Sequence, residues 1–301
     1  MSGCGCAGSG LRPVDEAIAA LMAFVPKAPP SVRVDLEDAL GLVLAEDVQS
    51  PIDLPLWDNS AMDGYALRSA DSGRLKITGC VAAGDAADVE LRPGEAMRIF
   101  PGAPLPPGAD SVVAQEDCEA EGDWLQVPAV APGSHVRRRG EELCAGDALL
   151  GTGQRLRAQD LGLLASVGLD RVSVHRPLRV CLLSSGDELR EPGEPLAPGQ
   201  IYNANRFSIG ALLRGWGMEV HDYGVLADTL VASRDALSLA ASEWDVLITS
   251  GGVSVGERDY LKQAIRELGE LHLWKLKMQP GKPLAFGSIA GKPWIGLPGN
   301  P

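Results

Sequence analysis

Ser250, Gly251 and Gly252, followed by Asp259 in SGGVSVGERDY, are residue types that can handle an anion. Glycines let the backbone turn sharply and bring bare amide N–H groups close to a ligand, which suits a phosphate. The plain alternative is a tight turn, with Asp259 serving only to cap a helix. Similar polar sets recur at Ser184-Ser185-Gly186-Asp187-Glu188, at Gly224 and Asp228, and at Lys275, Lys277, Gln279, Pro280, Gly281 and Lys282. Three carboxylates (Glu188, Asp228, Asp259), a glycine loop and lysines on one edge would make a site for a phosphorylated substrate with a hard cation such as Mg2+. Taken singly, each has a structural use: Glu188 as a helix or turn cap, Asp228 as an N-cap, Lys275 as a solvated strand residue. Only their convergence points to chemistry.

Convergence requires a scaffold that brings strand ends together. Val246 to Thr249 is a short apolar run, as expected of a strand buried on both faces of a parallel sheet. Around it the spacing predicts strands at 179–183, 219–223 and 271–276, alternating with helices at 206–213, 234–241 and 260–268. Such β-α alternation implies a doubly wound, mostly parallel sheet, whose ligands lie beyond the carboxyl ends of the strands. This α/β domain is expected over 177–301.

Upstream the pattern changes. Val14 to Phe24 has the apolar spacing of an amphipathic helix. From Ile52 to about Arg139, short runs (75–81, 96–100, 111–115, 124–127) separated by Pro and Gly predict a small all-β unit, a barrel or a sandwich. A helix at 158–165 and a strand at 171–174 follow. The expected layout is therefore a linking domain from 1–50 with 141–176, a β-domain over 51–140, and the α/β domain. Two stretches of the β-domain look unlike scaffold. Trp57 to Tyr65 (WDNSAMDGY) places Asp58, Asn59, Ser60 and Asp63 in one loop, and RRRGEE sets Arg137, Arg138 and Arg139 beside Glu141 and Glu142. Their structural alternatives are a polar turn with Asp63-Gly64 at its tip and a solvated, charged strand end.

Composition limits the function classes. The chain has 301 residues and a net charge of −13, so a general affinity for nucleic acid or anionic membrane is not expected. No apolar run approaches the length of a membrane span, and MSGCGCAGSG lacks the regions of a signal peptide, which gives a cytoplasmic expectation. The six cysteines form neither a disulfide framework nor a C-x-x-C zinc pattern, and Cys4-Gly-Cys6 reads as a frayed terminus before it reads as a soft-metal site. The four histidines are isolated from one another, which leaves a His-based metal site or a nucleophilic triad without support.

DNSAMDGYA, RRRGEE, SSGDEL, GQIYNANR, SGGVSVGERDY, PGKPLAFG and GLPGNP, in this order and spacing, resemble the molybdopterin molybdenumtransferase family, the molybdate insertases that include the E domain of gephyrin. The resemblance runs from about Leu11 to Pro301. It implies an α/β domain of the molybdopterin-binding type and a reaction in which adenylylated molybdopterin and molybdate give molybdenum cofactor and AMP, with Mg2+. It also implies a homodimer, in which the β-unit of one subunit faces the α/β domain of the other, and the molybdopterin adenylyltransferase as a further partner. By motif, the family's functional positions fall on Asp63, Glu188, Asp228, Asp259 and Lys275 for catalysis. Ser250, Gly251, Gly252, Lys282, Pro298 and Arg137 fall on substrate binding, and Asp228 with Asp259 on the metal. Competing readings are an adenylyltransferase-like nucleotide enzyme, which would not need the MDGY and RRRG unit, and a non-catalytic scaffold, against which the retained acidic residues argue. Family members continue past GLPGNP, so the α/β domain is expected to be truncated at its C-terminal end.

The family often has Thr at Pro101, Asp at Glu142 and Lys at Gln279. The last change removes a positive charge from the expected anion site. Gln279→Lys should therefore lower the molybdate concentration needed for half-maximal insertion, more at low salt than at physiological ionic strength, where screening acts over about 8 Å. An unchanged molybdate requirement at every salt concentration would take residue 279 out of the site.

Overall fold

The computed structural model describes residues 13–23, 25, 27–252, 260–275 and 283–299, with backbone alone at 273–275 and 283. By contacts the chain forms two compact units, one of residues 1–32 with 175–301 and one of residues 33–174. None of the described helices is long and apolar enough to cross a membrane.

The unit 33–174 contains most of the short strands. Six of them form one sheet in the order Ser111–Ala114, Gly64–Leu67, Glu95–Ile99, Gly73–Val81, Trp124–Val127, Glu119–Glu121. Neighbouring residues point to opposite faces of a strand, and here both faces are covered. Ala66, Met97 and Val112 enter one core with Leu91 and Ile99, while Leu67, Ala96 and Val113 enter another with Leu75, Leu125 and Val127. The pair Gly73–Val81 and Glu95–Ile99 is parallel, so the sheet is not a simple meander. Helix Ala158–Ser166 packs in a third core with Leu44, Leu156, Val172 and Val174.

The other unit carries a six-stranded sheet whose strands are β1 Arg179–Ser185, β2 Glu219–Leu226, β3 Val246–Ser250, β4 Gly269–Lys275, β5 Pro283–Ile289 and β6 Lys292–Leu297. Its helices are α1 Ala204–Gly215, α2 Leu230–Glu243 and α3 Tyr260–Leu268. The strand order is β2-β1-β3-β6-β5-β4. Along β1, Val180 and Leu182 pack with Leu213 of α1, whereas Cys181 and Leu183 pack with Leu237 of α2 and Leu261 and Ile265 of α3. Helices therefore cover both faces, which is why β1 reads as a continuous apolar run rather than an alternating one. On the α1 face an apolar groove of about 460 Å³ remains between Leu21, Met22 and Val25 of the N-terminal segment and Val180, Ile248 and Trp216.

β1, β2, β3 and β6 are mutually parallel. Beyond β6 the pairing changes, and the sheet is mostly rather than wholly parallel: β5 runs antiparallel to both β6 and β4. The β5-β6 hairpin, absent from the sequence reading, turns at Ala290 and Gly291 with φ of 48° and 77°. Two successive positive φ values suit a tight hairpin, but Ala-Gly is not the usual Asn-Gly signature. Within β5, a Cβ on Gly287 would lie 1.9 Å from the Glu270 carbonyl oxygen, so a glycine that reads as a strand breaker is what lets β4 approach.

Asp245 fixes the amino end of β3. Its carboxylate accepts two hydrogen bonds from the Arg176 guanidinium, at 2.6 and 2.9 Å, and one from the Arg179 N–H at 2.9 Å. The Arg176 fork, helped by the Arg179 N–H and opposed by burial, holds the Asp245 pKa down to about 2. Because the folded value lies below the unfolded one, the stabilisation is complete above the unfolded carboxylate pKa of about 3.9 and disappears as pH falls through about 2. Asp245→Asn should cost about 2 kcal/mol at pH 7 in urea denaturation. The difference from the unsubstituted chain should shrink as pH falls below about 4; a difference that stays constant down to pH 2.5 would show that the carboxylate's charge is not what stabilises.

Candidate functional site

The strand order places a reversal between β1 and β3. From β1 the chain crosses by α1 to β2 on one side, then returns by α2 on the opposite face to β3 on the other side of β1. At such a switch point the loops leaving the two strands diverge and open a crevice beyond their carboxyl ends. The register aligns Ser184 with Ser250 and Ser250 with Leu297, so the segments following β1, β3 and β6 emerge side by side.

A cavity of about 80 Å³ lies there, lined by Ser185, Glu188, Asn203, Asn205, Ser250 and Gly299 among others. The glycine loop forms part of this edge for a steric reason. Gly251 has φ +90°, and a Cβ on it would stand 2.2 Å from the Ser185 carbonyl oxygen; its N–H donates to the Leu297 carbonyl at 3.0 Å. Gly252 has φ +68°, and a Cβ there would stand 2.4 Å from Leu261 Cδ2 on α3. Gly186 leaves room for the Glu188 carboxylate, which would lie 2.7 Å from an added Cβ.

Two asparagines of NANR tie this edge together. Asn203, buried at the start of α1, donates from Nδ2 to Ser184 Oγ at 2.9 Å. Asn205 donates from Nδ2 to Ser250 Oγ at 2.9 Å and to the Gly299 carbonyl at 3.0 Å. Arg206 is occupied, paired with Asp222 at 2.7 Å and with Glu191. Residue types and spacing alone assign neither asparagine of NANR a role. The available signal was a pair of amides at the start of a helix, where side-chain donors can reach neighbouring loops.

The expected site residues divide as follows. Glu188, Ser250, Gly251 and Gly252 lie at the β1-β3 edge, with Pro298 and Gly299 beside them at the end of β6. Asp228 is exposed in the β2-α2 connection, at the same end of the sheet. It is not the N-cap of α2: Thr229 is, its Oγ1 accepting from the Ala232 N–H at 3.3 Å. Lys275 ends β4, which points the same way as β6 because two antiparallel steps separate them. β4 is nevertheless three strands from β3, about 14 Å at normal strand spacing. Asp259, Gln279 and Lys282 lie outside the described residues, as do Cys4 and Cys6.

Asp63 and Arg137 belong to the other unit, where the two unusual stretches meet. Arg137 pairs with Asn59 and Val136 with Ser60 in a short antiparallel ladder. Arg138 reaches Asp58 at 2.6 Å and Arg139 reaches Asp53 at 2.6 Å. Arg137 is exposed and makes no ion pair among the described residues. Backbone and side-chain hydrogen bonds from Arg139 and Arg138 hold Asp58 below the usual carboxylate range. Asp63 is exposed, but Gly64 is not a turn tip: it begins a buried strand, and a Cβ on it would lie 2.0 Å from the Val113 carbonyl oxygen. Pro101 and Glu142 are both exposed, the latter hydrogen bonded through its N–H to the Leu54 carbonyl at 3.0 Å.

Sheet and cavity define an α/β protein of the class that receives its ligand at a topological switch point. Residues 12–168 match the family model described as MoeA N-terminal region (domain I and II), and residues 181–301 match the model described as probable molybdopterin binding domain. A molybdopterin molybdenumtransferase from Haemophilus influenzae is 40% identical over 295 residues, covering 96% of this chain and 72% of that protein. One from a Nostoc species is 39% identical over 281 residues, and there the chain spans 64% of the relative's length. Among solved structures, the MoeA protein of Pyrococcus horikoshii has a TM-score of 0.84 at 35% identity, covering 97% of this chain and 75% of that one. The chain belongs to the MoeA family of molybdopterin molybdenumtransferases, a family of enzymes.

Gly224 provides a control for the loop geometry, because its φ is also +90° but a Cβ there would meet nothing within 4 Å. Gly224→Ala should cost about 1 kcal/mol, the backbone strain alone. Gly251→Ala should cost at least about 2 kcal/mol more, since the Ser185 carbonyl must move. Equal losses in chemical denaturation would mean that the close approach is not tight.

Proposed function

We propose that the chain inserts molybdate into adenylylated molybdopterin, giving molybdenum cofactor and AMP. The observation that carries this reading is the set of Glu188, Ser250, Asn205 and Gly299 around one small cavity at the switch point, within the segment that matches the molybdopterin-binding model. Ser250 offers a hydroxyl to a phosphate oxygen, and the glycine loop lets the ligand approach the backbone. Asp63 and Arg137 act on substrate held by a second copy in a homodimer, and Lys275 and Lys282 draw the oxyanion to the edge of the sheet. The 51–140 β-segment and the 1–50 with 141–176 linker act as separate domains of that dimer. The enzyme works in the cytoplasm, with the molybdopterin adenylyltransferase as the source of its substrate.

The donor set suits Mg2+. Glu188 and Asp228 are exposed carboxylates following neighbouring strands, and Mg2+ characteristically takes one or two carboxylates and completes its shell with water and substrate phosphates. Among the described residues no three His, Cys, Asp or Glu side chains are grouped to hold a metal. In this reading the site is shared with the substrate, and Asp228 and Asp259 are the protein's ligands. Mg2+ bound there would neutralise charge on the phosphates. Glu188, at the mouth of the cavity, orients the bound substrate through hydrogen bonds from its donor groups.

Incubation with adenylylated molybdopterin, Mg2+ and molybdate should release AMP. Asp228→Ala and Asp259→Ala should each slow that release by roughly a hundredfold or more, the loss of several kcal/mol of transition-state stabilisation. Their unfolding midpoints should stay close to that of the unsubstituted chain. Normal AMP release by both variants would remove these carboxylates from the site.

A further inference from the structure

We infer that Asn205 is a positioning residue that turns the Ser250 hydroxyl into a hydrogen-bond donor facing the cavity; this rests on the reading of that cavity as the molybdopterin site. The Gly299 carbonyl oxygen can only accept a hydrogen bond, so the Asn205 amide must present its N–H group to it, at 3.0 Å. That contact settles which end of the amide is nitrogen. The same Nδ2 lies 2.9 Å from Ser250 Oγ, so its second hydrogen is given to the serine oxygen. A hydroxyl that accepts there keeps its own O–H for another partner. Ser250 is 4% exposed, lines the cavity and donates to nothing among the described residues.

The ligand chemistry follows from this polarity. A hydroxyl whose O–H is left free to donate favours an oxygen with lone pairs, such as a phosphate oxygen, at that point. Asn205 does this without touching the ligand through its amide nitrogen, because both amide hydrogens are engaged. The arrangement also joins three strand-end segments: the start of α1, the end of β3 and the turn after β6. A purely structural role would be confined to that joining, and the two roles respond differently to one substitution.

Asn205→Asp has nearly the same shape but presents acceptors when ionised. Ionised, it takes the Ser250 hydrogen for itself and turns the hydroxyl away from the cavity; protonated, it donates again. The test is the dissociation constant of molybdopterin, measured by fluorescence between pH 4 and pH 8 on the full chain. Each variant is expressed relative to the unsubstituted chain at the same pH, which cancels the ligand's own phosphate titration. Asn205→Asp should bind at least about tenfold more weakly at pH 8, the loss of a hydrogen bond to a charged group. Much of that deficit should be regained at pH 4, where an Asp of ordinary pKa, about 3.9, is close to half protonated. Ser250→Ala should bind at least about tenfold more weakly at every pH, and Asn205→Asp added to it should cost little more.

A deficit in Asn205→Asp that is the same at every pH, or that adds in full to Ser250→Ala, would overturn the inference and leave Asn205 as a structural tie. Binding by Asn205→Asp equal to the unsubstituted chain, with Ser250→Ala weakened, would overturn the inference and keep the site. Failure of the unsubstituted chain to bind molybdopterin would instead overturn the reading of the site, and the inference with it.

Discussion

The candidate site depends on how closely two strand ends approach. At the carboxyl ends of β1 and β3 the backbone of Gly251 lies against the Ser185 carbonyl, leaving no room for a Cβ, and its N–H reaches the end of β6. Three strand ends are thereby held at one edge, and the segments leaving them have little freedom in where to go. Glycine is required by this contact before any ligand is considered. The turn reading and the ligand reading of the SGG loop are therefore not alternatives: a backbone pinned this tightly is also a preorganised one.

In both units, conspicuous cations are paired within the protein. Several conspicuous arginines are already engaged: Arg176 with Asp245, Arg206 with Asp222 and Glu191, and Arg138 and Arg139 with Asp58 and Asp53. The last two pairs are substantially exposed and fix loop geometry more than they stabilise the fold. The cavity itself is lined by serines and asparagines together with Leu189, Ile201, Tyr202 and Ala204, and Glu188 is its one charged side chain. A phosphorylated ligand would therefore be held there by hydrogen bonds rather than by a cluster of cations.

Much of this was legible in the residues. Apolar runs such as Val246 to Thr249 and helical spacings such as Tyr260 to Leu268 specify their elements because burial on two faces, or on one stripe, leaves a periodic trace. The observed β3 and α3 cover those stretches. The motifs placed Glu188 and Ser250 at strand ends, and the doubly wound pattern assigned those ends to a ligand. The hairpin of β5 and β6 left no such trace. Its Pro293 and Gly287 look like breakers, and only the facing strand shows that Gly287 is needed for contact.

The sequence by itself determined which segments are buried, which loops carry carboxylates and glycines, and, through ordered motifs, the family. Tertiary structure decided lateral position. Lys275, which sequence reasoning set beside the glycine loop, ends a strand three places from it, because the β5-β6 hairpin, which the residues did not announce, lies between. Asn205, which sequence reasoning passed over, became the tie among three segments because its amide meets both Ser250 and Gly299. The physical reason is the same in both cases. Periodicity along a chain records which face of an element is covered, whereas the order of strands in a sheet is set by pairings between distant residues that leave no periodic mark.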